Sequence, residues 1–274
     1  MPETSATAVS HDPYERLEIG CLLYDSGARP SPLVVNPRGG PRWRDSKGFD
    51  LYTQFLVQRG FSVLQVNYRG STGRGRAFVE ELIDDWGGAE QGDVATAAEG
   101  VPENRPWLDA DRVVFGGSYG GYSAYWQALQ YPELYDVAVA WIGLIDLEDM
   151  YENTMPHCIT ELMEKYLGTP EESPDLYEER SPVTNVENLS LPLCVLHGAN
   201  DRRVPVSQAR RFREALDAHG FTDGEAGDYG YYELGEESHG SSDIEQKIRA
   251  FELLDDFLDH RVGTEASGQR ARSN

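Results

Sequence analysis

The sequence predicts an α/β fold, a mostly parallel sheet covered by helices on both faces. Two observations carry this. Apolar runs of strand length alternate with amphipathic runs of helix length along nearly the whole chain. The runs at 113–115, 135–142 and 193–197 are apolar without a polar face, as strands buried on both sides must be. The chain has 274 residues, enough for one large domain with a substantial core.

The elements follow in order. Residues 1–13 are polar and are expected to be disordered. Residues 17–24 alternate as a strand, and 33–35 make a shorter, more buried one. Asn36-Pro-Arg38-Gly39-Gly40-Pro41 is then a loop whose glycines let backbone N–H groups face outward. Leu51, Phe55 and Leu56 set a helical pattern over 50–59 that Gly60 closes. A strand over 62–67 leads into Tyr68-Arg-Gly-Ser-Thr-Gly73-Arg-Gly75. That loop lacks the Walker lysine and the dinucleotide spacing, so it reads as the rim of a site rather than a nucleotide cradle.

Helices near 75–84 and 90–99 precede the strand at 113–115, and another runs from 122 to about 131. Residues 146–190 are rich in acids and aromatics, with one or two short helices around 159–167 and no strand. Lying between two strands, they are expected to form a cap or pocket wall, with Tyr151 as its substrate-binding candidate. The strand at 193–197 ends in Gly198-Ala-Asn-Asp201, and a helix opens near Pro205, where proline suits the first turn. After a last strand at 229–234, a long helix places Ile244, Ile248, Phe251, Leu254 and Leu258 on one face. Residues 262–274 read as a polar, disordered tail, so the catalytic domain is expected to span 14–261.

Net charge is −23, from 47 acidic and 24 basic residues. Only Lys47, Lys165 and Lys247 of the basic residues are lysines. Such charge repels phosphate, so nucleic acid is not an expected partner. No apolar stretch approaches the ~20 residues of a membrane span, and residues 1–11 lack the basic and apolar regions of a signal peptide. Cys21, Cys158 and Cys194 are scattered and without metal-binding spacing, which fits a reducing cytoplasm and no metal or other cofactor. Acids spread over the whole chain, with ordinary aromatic content, fit a folded protein whose carboxylate surface suits high salt.

The chemistry centres on Gly116-Gly117-Ser118-Tyr119-Gly120, a match to G-x-S-x-G. The bare pentapeptide could be a Gly-rich turn with an incidental serine. A strand before it and a helix after it favour a nucleophile elbow, in which a tight turn exposes the serine hydroxyl and glycines avoid collisions. A nucleophilic serine needs a base, and the base needs an orienting acid. In the α/β-hydrolase arrangement these follow in the order Ser, Asp or Glu, His. His239 lies after the last strand and before the last helix. His11 is in the expected disordered segment, His157 in the cap, His197 on a buried strand, and His219 and His260 at helix C-termini. Asp201 follows the strand at 193–197, and Asp146 is the alternative acid. The oxyanion hole calls for the N–H of Tyr119 and one from Gly39 or Gly40.

Taken together, Tyr68-Arg-Gly-Ser-x-Gly, Trp86-Gly with Asp93, Gly116-Gly-Ser118-Tyr-Gly-Gly-Tyr122, His197-Gly-x-x-Asp201-x-Arg203-Val-Pro205 and Ser-His239-Gly resemble a known family. It is the catalytic domain of prolyl oligopeptidase-family serine peptidases, in the acylaminoacyl-peptidase branch, and the resemblance covers 17–261. It implies an α/β-hydrolase fold, a Ser118–Asp201–His239 triad and hydrolysis of short peptides or acylated amino acids. It also implies that Arg203 binds a substrate carbonyl and that Gly40 joins Tyr119 in the oxyanion hole. Two departures stand out. The family carries His-Gly-Gly-Pro where this chain has Arg38-Gly-Gly-Pro41, and its N-terminal β-propeller has no counterpart before residue 17. A plain carboxylesterase and a subunit completed by a separate partner are the rival readings, and homo-oligomerisation is left open.

The charge generates a first prediction. Raising salt from 0.1 to 1 M shortens the screening length from ~10 to ~3 Å, so the melting temperature should rise in molar KCl. A flat melting temperature up to 2 M would contradict a salt-adapted surface.

Overall fold

The computed structural model describes residues 3–9, 17–224, 226–235, 237–240 and 243–262. Its strands are β1 (Glu3–Val9), β2 (Glu18–Tyr24), β3 (Ser31–Pro37), β4 (Ser62–Asn67), β5 (Leu108–Gly117), β6 (Val137–Trp141), β7 (Leu193–Gly198) and β8 (Tyr229–Leu234). They form one sheet in the order β1-β2-β4-β3-β5-β6-β7-β8. The pairs β1–β2 and β2–β4 are antiparallel. The remaining pairs, from β4–β3 through to β7–β8, are parallel.

Successive residues of the central strands feed two cores. On β5, Val114 points into one core while Val113 and Phe115 point into the other. The same alternation runs along β3, β6 and β7, where Val35, Ala138 and Val195 lie opposite Val34, Val139 and Cys194. This period of two explains the apolar runs without a polar face: both sides of each strand are covered. Helices α1 (Leu51–Gln58) and α10 (Ile244–Arg261) bury residues in the second core. Helices α3 (Ala89–Glu103), α4 (Tyr119–Gln130) and α9 (Ser207–Ala218) bury theirs in the first.

Three features depart from the sequence reading. Residues 3–9, expected to be disordered, form β1 in register with β2 from Glu3↔Tyr24 to Val9↔Glu18. Strand pairing overrides their polar composition, and it covers an edge that β2 would otherwise expose. On α10, Ile244 and Ile248 are 71% and 52% exposed. The packed face is instead Ala250, Leu254, Phe257 and Leu258, with Phe251 on its margin against Phe55. Small Ala250, which contributes little to a hydrophobic pattern, is what the sheet accepts at closest approach. Val262, placed in the expected tail, is buried and bonds back to Leu258 O at the end of α10. The rest of that tail, and residues 10–13, lie outside the described residues.

Residues 146–190 contain only helical elements: α5 (Leu147–Asn153), α6 (Pro156–Cys158), a π-helical turn (Ile159–Met163), α7 (Glu164–Leu167), α8 (Pro174–Glu179) and a 3₁₀ stretch (Pro182–Asn188). Helix α2 (Arg76–Glu80) and a 3₁₀ turn (Pro132–Leu134) complete the helical elements among the described residues.

The turn from β5 into α4 fixes the architecture around Ser118. A Cβ on Gly116 would lie 2.0 Å from Gly120 O and 2.3 Å from Gly120 C, both backbone atoms. Gly116→Ala should therefore cost about 3 kcal/mol, the upper part of the overpacking range. For a domain of this size that lowers the melting temperature by roughly 6–12 °C. An unchanged thermal melt would mean that the turn is free to relax.

Candidate active site

Ser118 stands at φ 58°, ψ −124°, between the end of β5 and the start of α4. A non-glycine residue adopts that backbone only when its surroundings impose it. Its N–H is held by Trp141 O at 2.9 Å and its carbonyl by Tyr122 N–H at 3.0 Å. Gly120 meets the next strand closely, since a Cβ there would lie 2.3 Å from Pro37 O. The absence of side chains on both flanks thus lets the turn lie against the end of β3. Ile142, on the neighbouring strand end, also has positive φ, 48°, and borders the same cavity as Ser118.

Asp201 and His239 meet across the ends of β7 and β8. His239 Nδ1 is 2.8 Å from Asp201 Oδ2. The other carboxylate oxygen, Oδ1, accepts from Arg203 N–H at 2.8 Å and Val204 N–H at 2.9 Å. Burial pushes the Asp201 carboxyl up, but the His239 hydrogen bond and charge and the two backbone donors outweigh it, so its pKa is lowered. The carboxylate is therefore ionised and oriented. Ser118 and His239 border one cavity, so the three residues converge at the carboxyl ends of β5, β7 and β8.

The alternatives have other occupations. Asp146 caps α5 by accepting from Asp149 N–H and pairs with Arg211 at 3.0 Å. His197 is fully buried with Nε2 2.8 Å from Val204 O, and burial lowers its pKa. His219 and His260 each place Nδ1 on the carbonyl four residues back, Ala215 O and Asp256 O.

Gly40 and Tyr119 border a second cavity with Ser118. The Tyr119 hydroxyl donates to Glu90 at 2.9 Å. Glu90 is itself buried and also accepts from Gly87 and Gly88 N–H. Burial pushes its carboxyl up to about 7, against those hydrogen bonds. Gly39 approaches the serine from the other side, where a Cβ would sit 3.9 Å from Ser118 Cβ.

The loop carrying these glycines is held by Arg38, which the sequence marked only as a departure from a histidine. Arg38 is 2% exposed, and its guanidinium stacks 4.2 Å from the Tyr68 ring centroid. Nε donates to Ser71 at 2.8 Å, and Nη1 donates to Gly39 O at 3.0 Å and to Pro41 O. The Tyr68 hydroxyl in turn donates to Arg38 O at 2.9 Å. No sequence signal separates this arginine from a surface one.

The second cavity is apolar. Leu144, Met150, Leu162 and Met163 line it beside Trp86, and Arg203 stands at its edge. The π-helical turn brings Leu162 and Met163 round to it, a use typical of such turns at functional sites. Tyr151 is not among its lining residues. Its hydroxyl donates to Glu164 at 2.9 Å and its ring packs edge-on against Tyr177. Leu147 and Met150 form the inward i, i+3 pair of α5, while Tyr151 packs at the margin of the same core, against Tyr177 rather than at the cavity; that spacing was the signal for Met150. Arg203 is exposed, and none of the described residues offers it a carboxylate partner.

A mostly parallel sheet with a strained serine at a strand-to-helix turn, and a buried Asp201 paired with a part-buried His239 beside it, defines the α/β-hydrolase class. Within that class the chain belongs to the prolyl oligopeptidase family, whose family model matches residues 47–265. It is 33% identical over 217 residues to the human acylamino-acid-releasing enzyme, covering 74% of this chain and 29% of that one. It is 32% identical over 193 residues to dipeptidyl aminopeptidase BIII of Pseudoxanthomonas mexicana, covering 69% of this chain and 28% of the relative. A puromycin-hydrolyzing peptidase of Mycobacterium tuberculosis superposes with a TM-score of 0.83 at 28% identity, over 95% of this chain and 40% of that one. The acylaminoacyl peptidase of Pyrococcus horikoshii gives the same TM-score at 21% identity over 95% and 41%, a likeness of fold. The chain thus spans under a third of the length of these curated relatives.

Arg38 yields a prediction of its own. Lysine can neither stack flat on Tyr68 nor supply a fork of donors. Arg38→Lys should cost about 2 kcal/mol and lower the melting temperature by roughly 4–8 °C. Arg42→Lys, at an exposed position two residues past Gly40, serves as the control. Equal melting temperatures for the two variants would show that Arg38 does not hold the loop.

Proposed function

We propose that the chain is a serine peptidase domain that cleaves short peptide or acyl-amino-acid bonds through an acyl-enzyme on Ser118. The observation that carries this is the Asp201–His239 pair facing the cavity that Ser118 borders. His239, its Nδ1 directed by Asp201, takes the Ser118 proton with Nε2 as the hydroxyl attacks the carbonyl carbon. The N–H groups of Tyr119 and Gly40 stabilise the oxyanion, helped by the N-terminus of α4. His239 then gives its proton to the leaving amine. Water repeats the sequence and releases the acid.

The apolar cavity receives the side chain on the acyl side. At about 30 Å³ it takes a small apolar group without movement of the helices over 146–190. Arg203, exposed at its edge, binds a carbonyl of the substrate, and Tyr151 contributes through the wall it braces rather than by contact. No helix among the described residues is long and apolar enough to cross a membrane. Cys21, Cys158 and Cys194 are buried thiols, and a reducing, cytoplasmic setting is part of this proposal.

Esterase activity is the second reading, favoured by the openness of the site. On the acyl side, few groups beyond Arg203 are placed to grip remote parts of a substrate, and that grip helps position a resistant amide for attack. Activated esters need less of it. A p-nitrophenyl ester should therefore turn over faster than aminoacyl p-nitroanilides, with alanyl preferred to phenylalanyl. Ser118→Ala should lose on the order of 10⁵–10⁶ in kcat on both while keeping its fold. Undiminished turnover in Ser118→Ala would remove the nucleophile assignment. Strong anilide turnover with negligible ester turnover would mean that a partner or second copy completes the site.

A further inference from the structure

The cavity that holds His239 is separate in character from the apolar one and larger, about 260 Å³. At ~30 Å³ per water that is room for roughly eight waters, or for one long side chain. Its position decides which part of a substrate would enter it. Tyr119 and Gly40, the oxyanion donors, border the apolar cavity. His239, which must hand its proton to the leaving group, borders this one. The group departing from the acyl carbon therefore faces this cavity.

Tyr52, Phe115, Trp141 and Ile142 form part of its wall, and the remainder asks for a hydrogen-bond donor. Gln65, 4% exposed on β4, spends Nε2 on Thr53 at 3.1 Å, and its Oε1 has no partner among the described residues. Asp45 Oδ2 is likewise buried and without one. The Asp45 backbone is fixed on both sides by Asn67, at 2.8 and 3.1 Å, which anchors the residue at the cavity wall. Burial pushes that carboxyl up to about 6, with Arg38 opposing and Asp50 adding to the rise, so it remains an ion at neutral pH. Asp50 also borders the cavity but is engaged as the cap of α1. Against these two carboxylates stands one cation, Arg38, so the formal charge of the wall is negative. Arg38 Nη2 is buried and free to donate.

We propose that this cavity is a leaving-group subsite that selects a basic residue after the scissile bond, with Asp45 and Gln65 as its acceptors. The proposal rests on the acyl-enzyme reading above. Two acceptors fit the donors of a guanidinium or ammonium, and Arg38 Nη2 suits the carbonyl that follows it. A charge-assisted pair of this kind is worth roughly tenfold in selectivity.

Acyl transfer reads the subsite directly. A p-nitrophenyl ester forms the acyl-enzyme, and an added amine competes with water for it. The amine nitrogen bonds to the acyl carbon, the Ser118 ester bond breaks, and the amine's proton passes through His239 to Ser118 Oγ. Argininamide and citrullinamide are matched in shape and differ in charge. Their partition ratio, taken within each protein, cancels any change in overall rate. The wild-type protein should favour argininamide by roughly tenfold, and Asp45→Asn and Gln65→Met should each bring the ratio toward unity. A wild-type ratio near one, or a tenfold preference that survives in both variants, would overturn the subsite. Ester hydrolysis that continues undiminished in Ser118→Ala, with no acyl-amide formed from either amine, would instead remove the acyl-enzyme itself, and the subsite with it.

Discussion

Everything at the site depends on one close approach, that of the β5–α4 turn to the end of β3. Pro37 O lies where a side chain of residue 120 would have to be, and Gly120 O lies where one of residue 116 would be. With hydrogen at both positions, the serine turn and the loop through Gly39 and Gly40 pack as one body. The positive φ of Ser118 is the conformational cost of that arrangement, and the sheet-end bonds to Trp141 and Tyr122 hold it. Arg38 secures the opposite side of the same body. Buried among Tyr68, Ser71 and the carbonyls of Gly39 and Pro41, it does with one planar cation what several neutral donors would otherwise have to do.

This body divides the space around Ser118 into two unlike halves. On the side of Tyr119 and Gly40 the walls are Met150, Leu162 and Met163 from the helical segment between β6 and β7, Leu144 from the loop after β6, and Trp86 from the segment before α3. On the side of His239, two carboxylates, two amides and Arg38, from β3, β4 and the segments before α1, share the wall with Tyr52, Phe115, Trp141 and Ile142. The asymmetry matches the two fates of a scissile bond, in which one fragment stays covalently held and the other leaves with a proton. Cap variation can then change acyl preference while the β3–β4 side, part of the sheet scaffold, stays fixed.

The parallel sheet and the strand-end positions of Ser118, Asp201 and His239 were legible in the sequence because each carries a local signal. Buried parallel strands are apolar without alternation, and the serine turn is written in its glycines. Asp201 and His239 each follow a strand and precede a helix. What was not legible depends on partners distant in sequence. Residues 3–9 read as polar and free, yet β2 recruits them. Ile244 and Ile248 matched a helical stripe, but the sheet accepts the face through Ala250, whose small side chain leaves no mark on hydropathy. Tyr151 drew attention as an aromatic in the cap, while Met150 beside it turns inward because α5 packs through Leu147. Arg38 and Asp45 owe their roles wholly to burial, which no single-sequence pattern reveals.

The central proposal is that this geometry makes Ser118 a nucleophile at neutral pH. Treatment of the folded protein with a fluorophosphonate, followed by mass mapping of the modified peptide, tests it most directly. The account predicts one adduct per chain, on the peptide containing Ser118, and its loss when the protein is first unfolded. No adduct, or one on a different residue, would contradict it.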